Sequence, residues 1–118
     1  MIESATHVRI VLSTAGSREE AESIARGLID ERLAACVNLV PGLVSVYRWL
    51  GEVESSDEVL LVIKTTATSV EGVEGALRRL HSYEVPEMLV LTPEAGSHAY
   101  LEWLVHSVGS ASEGPERH

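Results

Sequence analysis

Residues 36–50 read Cys36-Val37-Asn38-Leu39-Val40-Pro41-Gly42-Leu43-Val44-Ser45-Val46-Tyr47-Arg48-Trp49-Leu50. The stretch is β-branched and aromatic, and only Pro41-Gly42 interrupts it, so it predicts an extended strand. At about 3.3 Å per residue it spans roughly 50 Å. Ordinary strands cover about 17–20 Å, so about half of this one must project beyond its own sheet. The projecting half carries Val44, Val46, Tyr47, Trp49 and Leu50. A lone hairpin with so much apolar surface is unstable in water and prone to aggregate. We therefore expect it to pair with edge strands of identical neighbours. The alternative is a strand that folds back on itself.

Upstream, Val8-Arg9-Ile10-Val11-Leu12 reads as a short strand. Ser17-Arg18-Glu19-Glu20 has capping-box spacing. Ala21, Ile24, Ala25, Leu28 and Ile29 then recur at helical intervals, and Leu33 extends the stripe. Downstream, Glu52 to Asp57 is polar, and Ser55-Ser56-Asp57 predicts the hairpin turn. Glu58 to Thr66 follows as a strand apolar on both faces, as a central strand should be. Thr68-Ser69-Val70-Glu71 has the spacing of a second capping box, ahead of Val70, Val73, Leu77 and Leu80 at helical intervals. Gly72 and Gly75 each weaken that helix by about 1 kcal/mol relative to Ala, so close packing, on a sheet for instance, must compensate. Met88-Leu89-Val90-Leu91 predicts a fourth strand between Pro86 and Pro93. Ser97 is placed to cap a short helix bearing Tyr100, Leu101, Leu104, Val105 and Val108.

The order is β-α-β-β-α-β plus a small helix. That is an α+β, ferredoxin-like antiparallel sheet with two helices on one face and a short C-terminal helix. Right-handed crossovers put the strands at 8–12 and 58–66 in the middle and the other two at the edges. Proline survives in sheets only at edges, strand ends or bulges. Pro41, Pro86 and Pro93 all fall in or beside the two predicted edge strands. Residues 1–108 form one domain on this reading, and 109–118 have the composition of a flexible C-terminal tail.

With 118 residues, the chain can bury about two-thirds of its extended surface. That supports a core without disulfides or a structural metal. No apolar run approaches the ~20 residues of a membrane span, and 45% apolar content excludes a disordered chain. Nine Lys and Arg against eighteen Asp and Glu give a net charge of −9. This is the wrong sign for nucleic acid or anionic membranes and favours cations. Cys36 is the single cysteine, so no internal disulfide forms, and its apolar neighbours suggest a buried hydrophobe. The N-terminus lacks signal-peptide features, and we expect a cytoplasmic protein.

Several motifs resemble the CutA divalent-cation tolerance family. They are Glu31-Arg32-Leu33-Ala34-Ala35-Cys36-Val37-Asn38, Val40-Pro41-Gly42, Tyr47-Arg48-Trp49, Glu58-Val59, Ile63-Lys64-Thr65-Thr66, Tyr83-Glu84-Val85-Pro86-Glu87 and Tyr100-Leu101-Glu102-Trp103-Leu104. The similarity covers residues 7 to 106. It implies a homotrimer with the long strand at subunit contacts, and a role in tolerance to divalent cations such as copper. Some relatives are described as binding copper through a cysteine and a histidine pair. The resemblance places Ser13 at the cysteine position and Leu80-His81 at the pair, so Cu2+ or another divalent cation keeps only His81 as a ligand. Copper favours thiolate and imidazole. The remaining histidines, His7, His98, His106 and His118, show no ligand spacing. Family members usually carry proline at positions 16 and 82, where this chain has Gly16 and Ser82.

Tyr47, Trp49, Glu58, Lys64, His81, Tyr83, Glu84 and Glu87 match the family's recurring polar and aromatic positions. Lys64 ends a strand apolar on both faces, so its stem packs and its ammonium needs an acceptor, for which Glu84 or Glu87 is available. These residues could form an intersubunit cleft for a small molecule, anchored by Lys64 and His81. They could equally be ion pairs and aromatic anchors that lock a trimer. No nucleophile elbow, zinc-hydrolase spacing or phosphate loop is present. The expectation is a non-enzymatic trimeric tolerance protein whose partners are copies of itself and divalent cations. The alternatives are a small-molecule signalling module or an enzyme acting at the cleft.

Overall fold

The computed structural model describes residues 1–109. In it the chain runs β1 (Ile2–Ser4), β2 (Val8–Ala15), α1 (Arg18–Asp30), β3 (Cys36–Trp49), β4 (Glu52–Thr66), α2 (Val70–Leu80), β5 (Leu89–Leu91), β6 (Ala95–Ser97) and α3 (His98–His106). A 3-10 turn at Ala67–Ser69 leads into α2. Beyond Gly109, the predicted tail lies outside the described residues.

The main sheet has the order β3-β4-β2-β5, with every neighbouring pair antiparallel. The two strands expected in the middle are there. Pro41 lies in edge strand β3, and Pro86 and Pro93 flank edge strand β5. A second, two-stranded sheet of β1 and β6 has no counterpart among the predicted elements. Its residues are short and almost all exposed, so no hydrophobic pattern announces it.

Strand alternation assigns the core. Val11 and Ala15 of β2 and Val59, Leu61 and Ile63 of β4 pack against Ala21, Ile24 and Leu28 of α1 and Val73, Ala76 and Leu77 of α2. Both long helices thus cover one face. The stripe on α1 ends sooner than its spacing suggests: Ile29 is exposed. Leu33 reaches the core from beyond the helix, after Arg32 turns the chain at φ 57.

The opposite face is built from Ile10, Leu12, Val40, Leu60, Val62, Leu89 and Leu91, aligned in rows by the strand register. Among the described residues only α3 covers it, and only at one end, where Leu101 and Leu104 pack with Ala5 and Val8. Leu89 is 58% exposed and Leu91 46%. Cys36 also lies on this face, in register with Lys64, and is half-buried, not enclosed.

The hairpin corrects the predicted turn. Ser55-Ser56-Asp57 lies within β4, and the chain reverses at Leu50-Gly51 instead. Leu50 has φ 52 and Gly51 φ 84. Two consecutive positive φ values make a two-residue turn whose twist matches the flanking strands. The polar run 52–57 marks an exposed strand, not a loop. Upstream, the register slips between Val40 and Leu43, so Pro41 and Gly42 together oppose one residue of β4. Gly42 accommodates this bulge at φ 85. Among the described residues the ladder from Val44↔Asp57 to Trp49↔Glu52 has no third strand beside it, so the hairpin does project.

The capping predictions divide. The Ser17 hydroxyl accepts from the Glu20 amide at 3.1 Å, as expected. The Thr68–Glu71 box does not form, because the chain enters α2 through a 3-10 turn in which the Thr66 hydroxyl engages Thr68 and Ser69. Ser97 occupies the cap position of α3 without a side-chain bond.

The Leu33 side chain from the segment after α1, not the sheet, explains Gly72. A Cβ there would meet a Leu33 methyl at 2.6 Å, and a Cβ at Gly27 would meet a Leu80 methyl at 2.8 Å. A Cβ at Gly75 would meet nothing within 4 Å, and no close approach requires glycine there. Gly75→Ala should therefore raise stability by about 1 kcal/mol, the full helix-propensity difference. Gly72→Ala should gain less, because Leu33 must leave its core position. Urea unfolding of both variants checks the order.

Candidate functional site

The end of β2, the start of α1 and the segment after α2 converge on one polar cluster. His81 follows the last turn of α2, and its amide still donates to the Leu77 carbonyl at 2.9 Å. Its ring is buried. Nε2 donates to the Thr14 carbonyl at 2.6 Å, because a carbonyl can only accept. Nδ1 accepts from the Tyr83 amide at 3.1 Å. The two bonds occupy both ring nitrogens.

Glu20 sits beside this ring, with its Oε2 3.6 Å from Nδ1. The same oxygen accepts from the Ser82 amide at 2.7 Å. Burial opposes ionisation of Glu20. The Ser82 hydroxyl and amide, the neighbouring His81 and the Gly16 amide outweigh it and hold the pKa below the ordinary 4.5. A helix-start carboxylate thus ties α1 to the segment beyond α2.

Tyr83 packs against the His81 ring with centroids 4.5 Å apart. Its hydroxyl donates to the Glu58 carboxylate at 2.7 Å. Burial, the bond to Glu58 and the charges of Glu58 and Glu20 all push the phenol far above its usual range. Tyr83 is therefore a fixed donor at neutral pH, not a base. A Cβ at Gly16 would lie 3.1 Å from the Tyr83 oxygen, so this chain's glycine lets the ring close over the end of β2. Beside the cluster is an open cavity of about 410 Å³ lined by Gly16, Ser17, Gly42, Leu43, Asp57, Glu58 and Val59.

Of the eight expected cleft residues, one copy of the chain brings together Glu58, His81 and Tyr83. Tyr47 approaches them, and its hydroxyl bonds that of Ser56 at 2.8 Å. Lys64 does not join them. It lies in register with Ile10, and its ammonium is 3.4 Å from the Tyr100 hydroxyl and 5.6 Å from that ring's centroid. The expected acceptors Glu84 and Glu87 do not reach it: among the described residues no carboxylate lies within ion-pair distance of Lys64. Trp49 stands half-exposed beside the hairpin turn, and Glu84 and Glu87 are exposed.

The residues present do not make a copper site on one chain. Ser13 is fully buried on the helix-covered face of β2, and its hydroxyl has no hydrogen-bond partner among the described residues. His81 has no free ring nitrogen. Among the described residues no group of three or more His, Cys, Asp or Glu is arranged to hold a metal ion.

Residues 9–107 match the model of the CutA1 divalent ion tolerance protein family. The chain belongs to that family. It is 47% identical over 100 residues to the divalent-cation tolerance protein CutA of Thermus thermophilus, covering 85% of this chain and 97% of that protein. The solved structure of that relative superposes with a TM-score of 0.84 at 46% identity, over 86% of this chain and 99% of that chain. The chain is 40% identical to the Homo sapiens protein CutA over 85% of its own length and 56% of that protein's. A structure of CutA from Synechococcus elongatus complexed with a Bis-Tris molecule superposes with a TM-score of 0.85 at 34% identity, covering 92% of this chain and all of that one. The family names describe tolerance to divalent ions and not an enzymatic activity.

Glu20 was visible in the sequence only as a capping-box residue. Its contact with Ser82, 62 positions away, had no local signal. With its folded pKa lowered, Glu20 contributes stability that is present above about pH 4.5 and lost as pH falls through the lower folded value. Glu20→Gln should therefore cost about 1 kcal/mol at pH 7, and the gap to wild type should shrink as pH falls below the ordinary 4.5 and through the lower folded value. Urea unfolding as a function of pH checks both.

Proposed function

We propose that this CutA-family chain works as a homotrimer in divalent-cation tolerance, as a binding or responding protein and not as a catalyst. One observation carries the reading: a sheet apolar on both faces whose two long helices cover only one. The bare face presents Val40, Leu60, Val62, Leu12, Leu89, Ile10 and Leu91, and the hairpin beyond it exposes Val44, Val46, Trp49 and Leu50. A monomer would leave this surface in water, while copies of the same chain can cover it with each other's edge strands.

Cation binding, copper included, fits the net charge of −9. The buried Ser13 and the doubly bonded His81 argue against that pair as the ligands.

The second reading, a small-molecule module, has one specific observation in its favour. The cavity beside Tyr83 and Glu58 is open on a single chain, as one wall of an intersubunit cleft would be. The Synechococcus relative in its Bis-Tris complex shows that a protein of this fold can take up a small polyol amine.

Native mass spectrometry with and without copper tests both parts. The expected species has three times the 12.8 kDa chain mass. Lysine at Val40 and Leu89 together should abolish that species, and wild type at the monomer mass at micromolar concentration would sink the assembly. Copper should bind His81→Gln as well as it binds wild type. A loss of more than tenfold in the variant would restore His81 as a ligand.

A further inference from the structure

Strand β1 precedes the residues that match the family, and its attachment is unusual. Ile2, Glu3 and Ser4 are all exposed, so no buried side chain holds the strand down. The first enclosed residue is Ala5, whose amide donates to the Glu94 carbonyl at 3.1 Å. Ahead of that pivot, β1 keeps the short ladder to β6 and a bond from the His98 amide to the Met1 carbonyl at 2.8 Å.

One side chain clamps this arrangement. His98, the first residue of α3, places Nδ1 2.9 Å from the Glu3 carboxylate on β1 and Nε2 3.7 Å from the Glu102 carboxylate one turn along α3. The carboxylates meet opposite edges of the ring, so they cannot chelate one metal ion. They suit an imidazolium, which donates from both nitrogens. A neutral ring donates from one and must leave the other carboxylate facing a lone pair.

We propose that His98 is a pH-operated latch for the N-terminal strand: charged, it fastens β1 to α3 through Glu3 and Glu102, and on losing its proton it lets β1 lift from β6 about Ala5. The charged groups facing His98 are Glu3 from β1, Glu102 from α3 and the Met1 amino group. The Glu3 bond and charge, then the Glu102 charge, raise the histidine above its ordinary 6.5, against slight burial and the Met1 ammonium. A raised histidine pKa gives a contribution fully present below 6.5 and lost as pH climbs through the folded value. Release uncovers the backbone edge of β6 at Ala95–Ser97. The pair is solvent-exposed, so the effect is local and modest.

Hydrogen exchange of the residue 98 amide, corrected for the intrinsic pH dependence of exchange, reads the latch through its bond to Met1. In wild type, opening should be about two- to five-fold more frequent at pH 8.5 than at pH 5.5, following the His98 ring titration by NMR. Amides of the β2–β4 ladder should not change. His98→Gln should open at the alkaline wild-type frequency at both pH values. Glu3→Gln should lower the His98 pKa and remove most of the pH dependence. Wild-type opening independent of pH, the same pH dependence in His98→Gln, or a His98→Gln strand as closed as acidic wild type would each overturn the proposal.

Discussion

A four-stranded sheet has two faces, and this chain supplies long helices for one of them. Everything else in the molecule answers to that shortage. Strands β2 and β4 place apolar residues on both sides. α1 and α2 close one side with Ile24, Leu28, Val73 and Leu77. On the other, α3 covers only one end, around Val8 and Lys64. The long hairpin extends the same problem past the sheet. Its exposed valines and Trp49 would burden a solitary subunit and are useful surface in an assembly.

The fold was legible because its signals are local and redundant. The stripe on α1, the twin apolar strands and three prolines confined to edges all gave the same order of elements, and the structure has it. What failed was local chemistry overridden by geometry. Ser55-Ser56-Asp57 looks like a turn by composition, yet Leu50-Gly51 supplies the two positive φ values that a tight antiparallel turn demands. Thr68 looks like a cap, yet the 3-10 entry into α2 and the Thr66 hydroxyl preempt it. Gly72 reads as a weak point in a helix until the methyl of Leu33 is seen in the space a side chain would fill.

The site was legible in part. His81, Tyr83 and Glu58 could be named from sequence and do meet. Lys64 could be named too, with the correct argument that its ammonium needs an acceptor. Within one chain the partner is Tyr100 and not Glu84 or Glu87, because α3 brings that hydroxyl over that end of the sheet, which nothing local tells. Glu20 and the Thr14 carbonyl were missed for the same reason. Their roles come from the junction of three elements, and no spacing rule spans it. Burial and hydrogen bonding make His81 a structural keystone: its ring is spent on a backbone carbonyl and a backbone amide.

The bulge at Pro41-Gly42 carries a consequence of parity. Before it, the even-numbered residues of β3 stand opposite even-numbered residues of β4; after it, the odd-numbered ones do. Tyr47 therefore shares a side with Ser56 and Glu58, and Val44 and Val46 share the other. Deleting one residue there would turn the outer hairpin inside out while leaving the inner ladder untouched. A single extra amino acid thus decides which half of the projecting arm carries Tyr47 beside Ser56 and Glu58 and which half carries Val44 and Val46.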